Sequence, residues 1–284
     1  CSYGPGRYDD NYEHKGQDYP IGFVRWTEKR NFEAILTAID KKQIETAPLI
    51  TKRVELNDYS SIYDDLSNKK SIASLINYNK KSKVEQTVTI SNKTFEGNNS
   101  VIGIVGAGNF TSAILLPTLY KLNANINYIA SSKGLSSSIL AKKYKIKKST
   151  TDYDQILSDI DTNLVIITTR HNTHAKLVMD AIKAKKNIFV EKPLAINEKE
   201  LKEIIKLYNK SNVKISIGFN RRFSPLAKKM KSIIGQSNSP INLSCTINAG
   251  MIPNNSWLHD MEVGGGRIIG EACHFIDLFS FLTG

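Results

Sequence analysis

The chain has 284 residues, of which 40% are hydrophobic and 23% charged, and carries a formal net charge of +12. These values describe a globular protein long enough for about two domains with substantial cores. No apolar run reaches the roughly 18 residues that a membrane span needs, and no basic-then-apolar leader pattern opens the chain, so a cytoplasmic protein is expected. The three cysteines, Cys1, Cys245 and Cys273, are too few and too scattered for a disulfide framework or a Cys-x-x-Cys metal site, and no metal is expected. Lysines such as Lys142, Lys143 and those from Lys183 to Lys186 lie scattered through helical segments, so the positive charge reads as a solvated surface and not as a nucleic-acid site. It would still attract anionic cofactors and phosphorylated substrates. The start at Cys1 without a methionine, and the end at Gly284 just where an apolar helix finishes, lead us to expect a fragment truncated at both ends.

Residues 1–98 read as a first unit. After a Gly/Tyr/Asp-rich opening come an expected strand over Ile21-Gly22-Phe23-Val24-Arg25-Trp26 and a helix whose Phe32, Ile35, Leu36 and Ile39 fall on one face. A strand through Leu49 to Leu56 and a short helix from Tyr59 to Leu66 follow, then a polar Ser/Asn/Lys stretch ending at Gly97-Asn98-Asn99-Ser100 that reads as a linker. This unit has too little apolar sequence for a confident core of its own.

From Val101 the pattern becomes strand, helix, strand. Expected strands are Val101–Val105, Ile126–Ala130, Leu164–Thr168, Asn187–Val190 and Lys214–Gly218, with helical patterns such as Leu177, Val178, Ala181 and Ile182 between them. Short apolar strands alternating with helices imply an α/β, Rossmann-type doubly wound parallel sheet, whose ligands bind outside the carboxyl ends of the strands. This domain is expected over 99–221, with the start of an α+β substrate domain over 222–284 that opens with a lysine-rich helix and the alternating strand Ile241, Leu243, Cys245, Ile247.

The first strand runs into Gly106-Ala107-Gly108-Asn109-Phe110-Thr111. A Gly-x-Gly turn between strand and helix permits a tight turn and brings backbone N–H groups close to a pyrophosphate; the third glycine of the fingerprint is here Thr111. An ordinary strand-to-helix turn is the alternative. Candidate cofactor contacts are therefore Gly106, Gly108, Asn109 and Phe110, then Ser131, Ser132 and Lys133 after the second strand, and Thr169, Arg170 and His174 after the third. Of the last group Thr169 is favoured for contact, while His174 is favoured for a structural role at the next helix. The strand Asn187–Val190 ends in Glu191-Lys192-Pro193, which brings Glu191 and Lys192 to the same edge. A lysine there can donate a hydrogen bond or proton to a substrate oxygen, though a surface loop lysine has the same appearance. Downstream, Gly264-Gly265-Gly266-Arg267 precedes Glu271-Ala272-Cys273-His274, and His274 is either a general acid or base near neutral pH or a satisfied core histidine.

Val101 to Thr111, Glu191-Lys192-Pro193, Gly218 to Pro225 and Gly264 to Asp277, in that order and spacing, resemble the Gfo/Idh/MocA oxidoreductases over about residues 100–284. The resemblance implies that Lys192 and His274 flank the substrate carbon that exchanges hydride with the nicotinamide. Many relatives carry an aspartate four residues before that histidine; here the position is Gly270, with Glu271 next to it as a possible substitute turned by about 100°. Cys1 to Asp9, Asp18-Tyr19-Pro20 and Val24 to Glu28 resemble instead the carboxyl-terminal tail of a medium-chain, zinc-type alcohol dehydrogenase module. Together the two resemble bi-domain fusions of such modules, which implies a sugar or nucleotide-sugar substrate, a link to surface polysaccharides, and a homo-oligomer when full-length.

The expected cofactor is NADP or NAD. No carboxylate follows the second strand, and Ala130-Ser131-Ser132-Lys133 tolerates a 2′-phosphate better than an acidic residue would, which leans towards NADP. The expected function is hydride transfer at a sugar-type hydroxyl or carbonyl carbon, with no nucleic-acid or membrane partner. The alternative is a non-catalytic NAD(P)-binding sensor or interaction module.

Overall fold

The computed structural model describes residues 4–67, 71–78, 85–95, 100–235 and 241–284, and divides into two units, Cys1–Lys83 and Val84–Gly284. The quoted residues Cys1 to Tyr3 and the expected linker end at Gly97 to Asn99 lie outside the described residues.

In the first unit, α1 (Asp10–Glu13) and α2 (Glu28–Asp40) start on the side-chain caps Asp9 and Thr27. The parallel pair β1 (Ile50–Glu55) and β2 (Ala73–Asn77) brackets α3 (Ser61–Ser67). The strand expected at Ile21 to Trp26 is a turn. Phe23 and Val24 both donate their N–H to the Pro20 carbonyl, and the Arg30 guanidinium takes the carbonyls of Tyr19 and Val24, so the groups a ladder would use are already engaged. Helix α2 forms as expected, but Ile35 and Leu36 on its apolar face are 53% and 63% exposed within the chain. Val54 is the only large apolar residue described as buried in this unit, in keeping with the thin apolar sequence.

The second unit is built on one sheet, in the order β3-β6-β5-β4-β7-β8-β9. Its strands are β3 (Thr87–Thr89), β4 (Val101–Val105), β5 (Asn125–Ala130), β6 (Lys148–Thr150), β7 (Leu164–Ile167), β8 (Asn187–Val190) and β9 (Ile215–Ile217). All pairs are parallel except β3 with β6. The edge strand β3 lies in the stretch read as linker. Thr87 to Thr89 bond in register to Thr150 to Lys148, so this segment belongs to the second unit.

Alternation along the strands divides the core between two faces. Val105, Val165, Ile167, Ile188 and Val190 pack with Leu177, Val178, Ala181 and Ile182 of α7 (His171–Lys183), Ile156 of α6 (Asp154–Ser158) and Ile204 of α8 (Glu198–Tyr208). Ile102, Ile104, Ile129 and Ile166 pack on the other face with Leu116 of α4 (Leu116–Lys121) and with Leu140 and Ala141 of α5 (Leu135–Tyr144). Each buried Ile or Leu contributes about 1.5–3 kcal/mol, which makes this sheet the stable platform of the unit.

Beyond the sheet, α9 (Pro225–Ile234) and α10 (Cys273–Thr283) lie together. Arg222 binds the buried Asp277 carboxylate through both Nε and Nη2, and Lys231 donates to the Leu282 carbonyl at 3.2 Å. The strand expected over Ile241 to Ile247 does not form: Ile241 and Ile247 are 40% and 47% exposed, and no described strand lies beside them to complete a ladder. No helix among the described residues is long and apolar enough to cross a membrane.

Gly103, in mid-strand, faces α6 so closely that an added Cβ would lie 2.2 Å from Ile156 Cγ2. Gly103→Ala should therefore lower the unfolding free energy by about 1–3 kcal/mol through overpacking, measured by urea denaturation.

Candidate active site

The carboxyl ends of β4, β5, β7 and β8 share one edge of the sheet, and the central β4 has β5 on one side and β7 on the other. Successive connections leave β4 in opposite directions, so a crevice opens at this point. Gly106 follows β4 with φ +118°, and a Cβ there would come within 2.6 Å of Thr168 Oγ1 and 2.8 Å of the Thr168 carbonyl carbon, so only glycine fits. At Gly108 an added Cβ would meet nothing within 4 Å. The backbone of Gly108 and Asn109 is thus open, with Phe110 half-buried behind it, at the start of a helical run that passes through a π turn (Thr111–Leu115) into α4. An open backbone at a helix start, where the first N–H groups have no intrahelical acceptor, fits a pyrophosphate.

Thr111 fills the place of the third glycine by chemistry that the motif does not show. It is fully buried, donates to the Gly106 carbonyl at 2.9 Å and shares a 2.7 Å hydroxyl bond with Thr168, so two threonines clamp the turn.

Ser131, Ser132 and Lys133 follow β5 at the same edge. Ser131 Oγ donates to Ser137 Oγ at 2.9 Å and accepts from the Ser137 N–H, which fixes the entry to α5, while Ser132 and Lys133 are exposed. After β7, Thr169 Oγ1 accepts from Thr173 Oγ1 at 2.6 Å, and the exposed Arg170 lies over the Trp257 ring. His174 is not available to a cofactor. It is fully buried, with Nδ1 2.7 Å from the Pro193 carbonyl and Nε2 3.1 Å from the Thr169 carbonyl, so it ties two edge loops together, as its structural reading expected.

Past β8, the half-buried Glu191 carboxyl lies against Gly218, where a Cβ would come within 2.7 Å of it, and burial raises its pKa. The Lys192 ammonium donates to the carbonyl of Gly270, within a second π turn (Ile268–Ala272) that leads into α10. His274, at the start of α10, has its Nδ1 buried with no hydrogen-bond partner among the described residues. Burial, then the Lys192 ammonium and the Arg221 guanidinium, push its pKa from 6.5 down to about 4 against the pull of Asp277. The His274 ring is therefore neutral at pH 7 in the resting protein.

The substitute carboxylate is also decided. Glu271 is paired with Arg267 Nε and Nη2 at 3.0 and 2.9 Å, so it is engaged on its own helical turn and is not the partner of His274. At Gly270 an added Cβ would instead lie 3.2 Å from Cε1 of His171, a residue that sequence reading passed over. The glycine run brings this neighbourhood in: Gly264 passes so close to Leu258 that a Cβ would lie 2.6 Å from its Cα, and the Gly264 carbonyl bonds His171 Nδ1 at 2.8 Å. Two histidines three residues apart, on the side of α7 that also carries Ala175 and Val178, were the signal available. No cluster of three or more metal-ligating side chains occurs among the described residues.

Residues 101–219 match the family model of the Gfo/Idh/MocA oxidoreductases, described as an oxidoreductase family with an NAD-binding Rossmann fold. The chain is similar to the uncharacterized oxidoreductase YrbE of Bacillus subtilis, 29% identical over 65% of this chain and 54% of that protein. It is likewise similar to the myo-inositol 2-dehydrogenase of Thermotoga maritima, 29% identical over 51% of this chain and 43% of that one. A solved structure of levoglucosan dehydrogenase with NADH and levoglucosan superposes with a TM-score of 0.59 at 26% identity, over 66% of this chain and 54% of that chain. The chain thus spans about half the length of these relatives.

His171, His174 and His274 all have lowered pKa values, with burial the leading cause in each. The unfolded chain binds protons on these rings as pH falls through 6.5 while the folded chain does not, so stability present above that pH is lost towards pH 4. The melting temperature should fall over this window, and His274→Asn should flatten part of the fall; differential scanning calorimetry across the pH series reads both.

Proposed function

From the Gfo/Idh/MocA-type Rossmann domain of residues 101–219, we propose that this chain carries the nicotinamide-binding and catalytic part of an oxidoreductase. The reaction moves a hydride between NAD(P) and a hydroxyl-bearing carbon of a sugar-type substrate. One observation carries this reading: Lys192 follows β8 at the sheet edge that holds the open Gly106 to Phe110 turn, and its ammonium acts on the neutral His274, whose Nδ1 has no hydrogen-bond partner among the described residues. The names of the relatives, an inositol and a levoglucosan dehydrogenase, support the substrate class.

NAD(P), when bound, supplies the hydride acceptor or donor. In the oxidative direction the substrate carbon gives up hydride and its hydroxyl gives up a proton. Lys192 donates a hydrogen bond to that oxygen and stabilises the charge developing on it, and neutral His274 accepts the proton. In reduction the protonated imidazole returns it. Glu191, Thr169 and Arg170 line the crevice, and Ser131 to Lys133 leave room and a cation for a 2′-phosphate, which favours NADP. The domain limits we assign are 99–221 for the nucleotide domain, to whose sheet β3 adds an edge strand from the segment ahead of it, and 222–284 for the start of the substrate domain, in a homo-oligomer.

The first unit we assign to the carboxyl-terminal tail of a medium-chain, zinc-type alcohol dehydrogenase module, fused ahead of the second and acting in surface-polysaccharide synthesis. Its sequence motifs and its sparse burial, with Val54 the large apolar residue inside, suit a part of a larger module. A cofactor-binding protein without turnover is the second reading. The engagement of Glu271 by Arg267 favours it, because no carboxylate is thereby offered to His274.

NADH or NADPH should raise the melting temperature of the chain, and Gly108→Asp, which sets a carboxylate in the open cradle, should weaken binding at least about tenfold in a fluorescence titration. Lys192→Met and His274→Asn should each lower hydride exchange with polyol substrates by roughly 10²–10⁴, with cofactor affinity kept, read from reduced-nicotinamide absorbance. Binding without exchange in the unmodified full-length protein would establish the second reading.

A further inference from the structure

Resting on the oxidoreductase reading above, we infer that His171 faces the substrate and accepts, at Nε2, a hydrogen bond from a second hydroxyl of a polyol. His171 opens α7 and is 6% exposed, so its ring sits inside the unit at the edge of the crevice. Its Nδ1 lies 2.8 Å from the Gly264 carbonyl. A carbonyl can only accept, so the proton resides on Nδ1 and Nε2 carries a lone pair. Among the described residues Nε2 has no hydrogen-bond partner. Burial and the nearby Lys192 ammonium lower the pKa, which keeps the ring neutral and the lone pair free.

The ring is held in place from several sides. Trp257 meets it edge-on with centroids 4.9 Å apart, and the Asn172 N–H bonds the Val263 carbonyl at 3.1 Å, which ties the same helical turn to the glycine-rich loop. His174, one turn on, is the internal contrast, since both its ring nitrogens face backbone carbonyls. Gly270 also borders His171: a Cβ there would lie 3.2 Å from Cε1, the carbon between the two ring nitrogens. The Gly270 carbonyl is the acceptor for Lys192. The cationic donor and the neutral acceptor therefore meet at a residue that has no side chain to come between them.

This pairing selects a ligand chemistry. A substrate oxygen at Lys192 needs only to accept, whereas the atom at His171 Nε2 must donate. Carboxylates offer no proton at neutral pH, so a compound with two hydroxyl-bearing carbons fits and a simple carboxylic acid does not. His171 is then a specificity residue, distinct from the proton acceptor His274.

The test uses the full chain, with its five histidines labelled with nitrogen-15 and assigned by single substitutions, saturated with NADH and titrated with myo-inositol and with levoglucosan. The expected result is a His171 ring in the Nδ1–H form whose Nε2 resonance moves upfield with at least one polyol, while that of His174 stays fixed. His171→Phe should weaken binding of that polyol about tenfold, the worth of one hydrogen bond, and leave NADH affinity within about threefold. His171→Asn, which keeps a donor for the Gly264 carbonyl and an acceptor beside it, should recover part of that loss. A ring protonated at Nε2, or one unmoved by both saturating polyols with NADH bound, overturns this inference alone. Failure of both NADH and NADPH to bind overturns the oxidoreductase reading and this inference with it; where only NADPH binds, it takes the place of NADH throughout.

Discussion

The hydrogen bond from Lys192 to the Gly270 carbonyl is the contact on which the site depends. It joins the carboxyl end of β8 to the turn that starts α10, two segments 78 residues apart in the chain. Without it the lysine would be one more solvated cation on a chain with 39 basic side chains. With it, an ammonium is held inside a half-buried pocket, where charge is screened less than in water. The consequences spread to the neighbouring imidazoles. Burial is the leading cause of the lowered pKa of His171, His174 and His274, and the Lys192 cation adds to it in each.

Neutrality then sorts those histidines by their hydrogen bonds. His174 has a backbone carbonyl at each nitrogen, and its neutral ring donates its one N–H to the nearer, that of Pro193, which braces the loop after β8 against α7. His274 has a buried Nδ1 with no partner among the described residues, and an unpaired buried polar atom is costly unless a ligand or a proton satisfies it. His171 is tied at one nitrogen and open at the other. Three chemically identical rings thus differ in their spare hydrogen-bonding capacity, and the backbone carbonyls around them make the difference.

The platform that brings them together was largely legible in the chain. Five runs of apolar residues between helical patterns marked five strands of the seven-stranded sheet, because a sheet covered on both faces demands near-continuous Val and Ile. The short strands Thr87–Thr89 and Lys148–Thr150 were not legible, since their Thr, Val, Ser and Lys carry no distinctive apolar run and they are held extended by pairing with each other and, for the second, with β5. The opposite error occurred at Ile21 to Trp26 and Ile241 to Ile247. Each has strand-like composition, but the first spends its backbone groups on Pro20 and Arg30, and the second has no described strand to pair with.

By itself the sequence determined the Rossmann-type sheet, the glycine turn after its first strand, and the presence of Lys192 and His274 at positions where chemistry could occur. Those depend on local rules, namely alternation, turn stereochemistry and the order of motifs along the chain. Only the tertiary structure decided which groups are free to act. It turned Glu271 to Arg267, made His174 a brace, let Thr111 and Thr168 replace a glycine with paired hydroxyls, and set His171 beside Gly270. The reason is physical: a side chain's charge state and its spare hydrogen-bonding capacity are set by neighbours distant in the chain, and no local pattern encodes them.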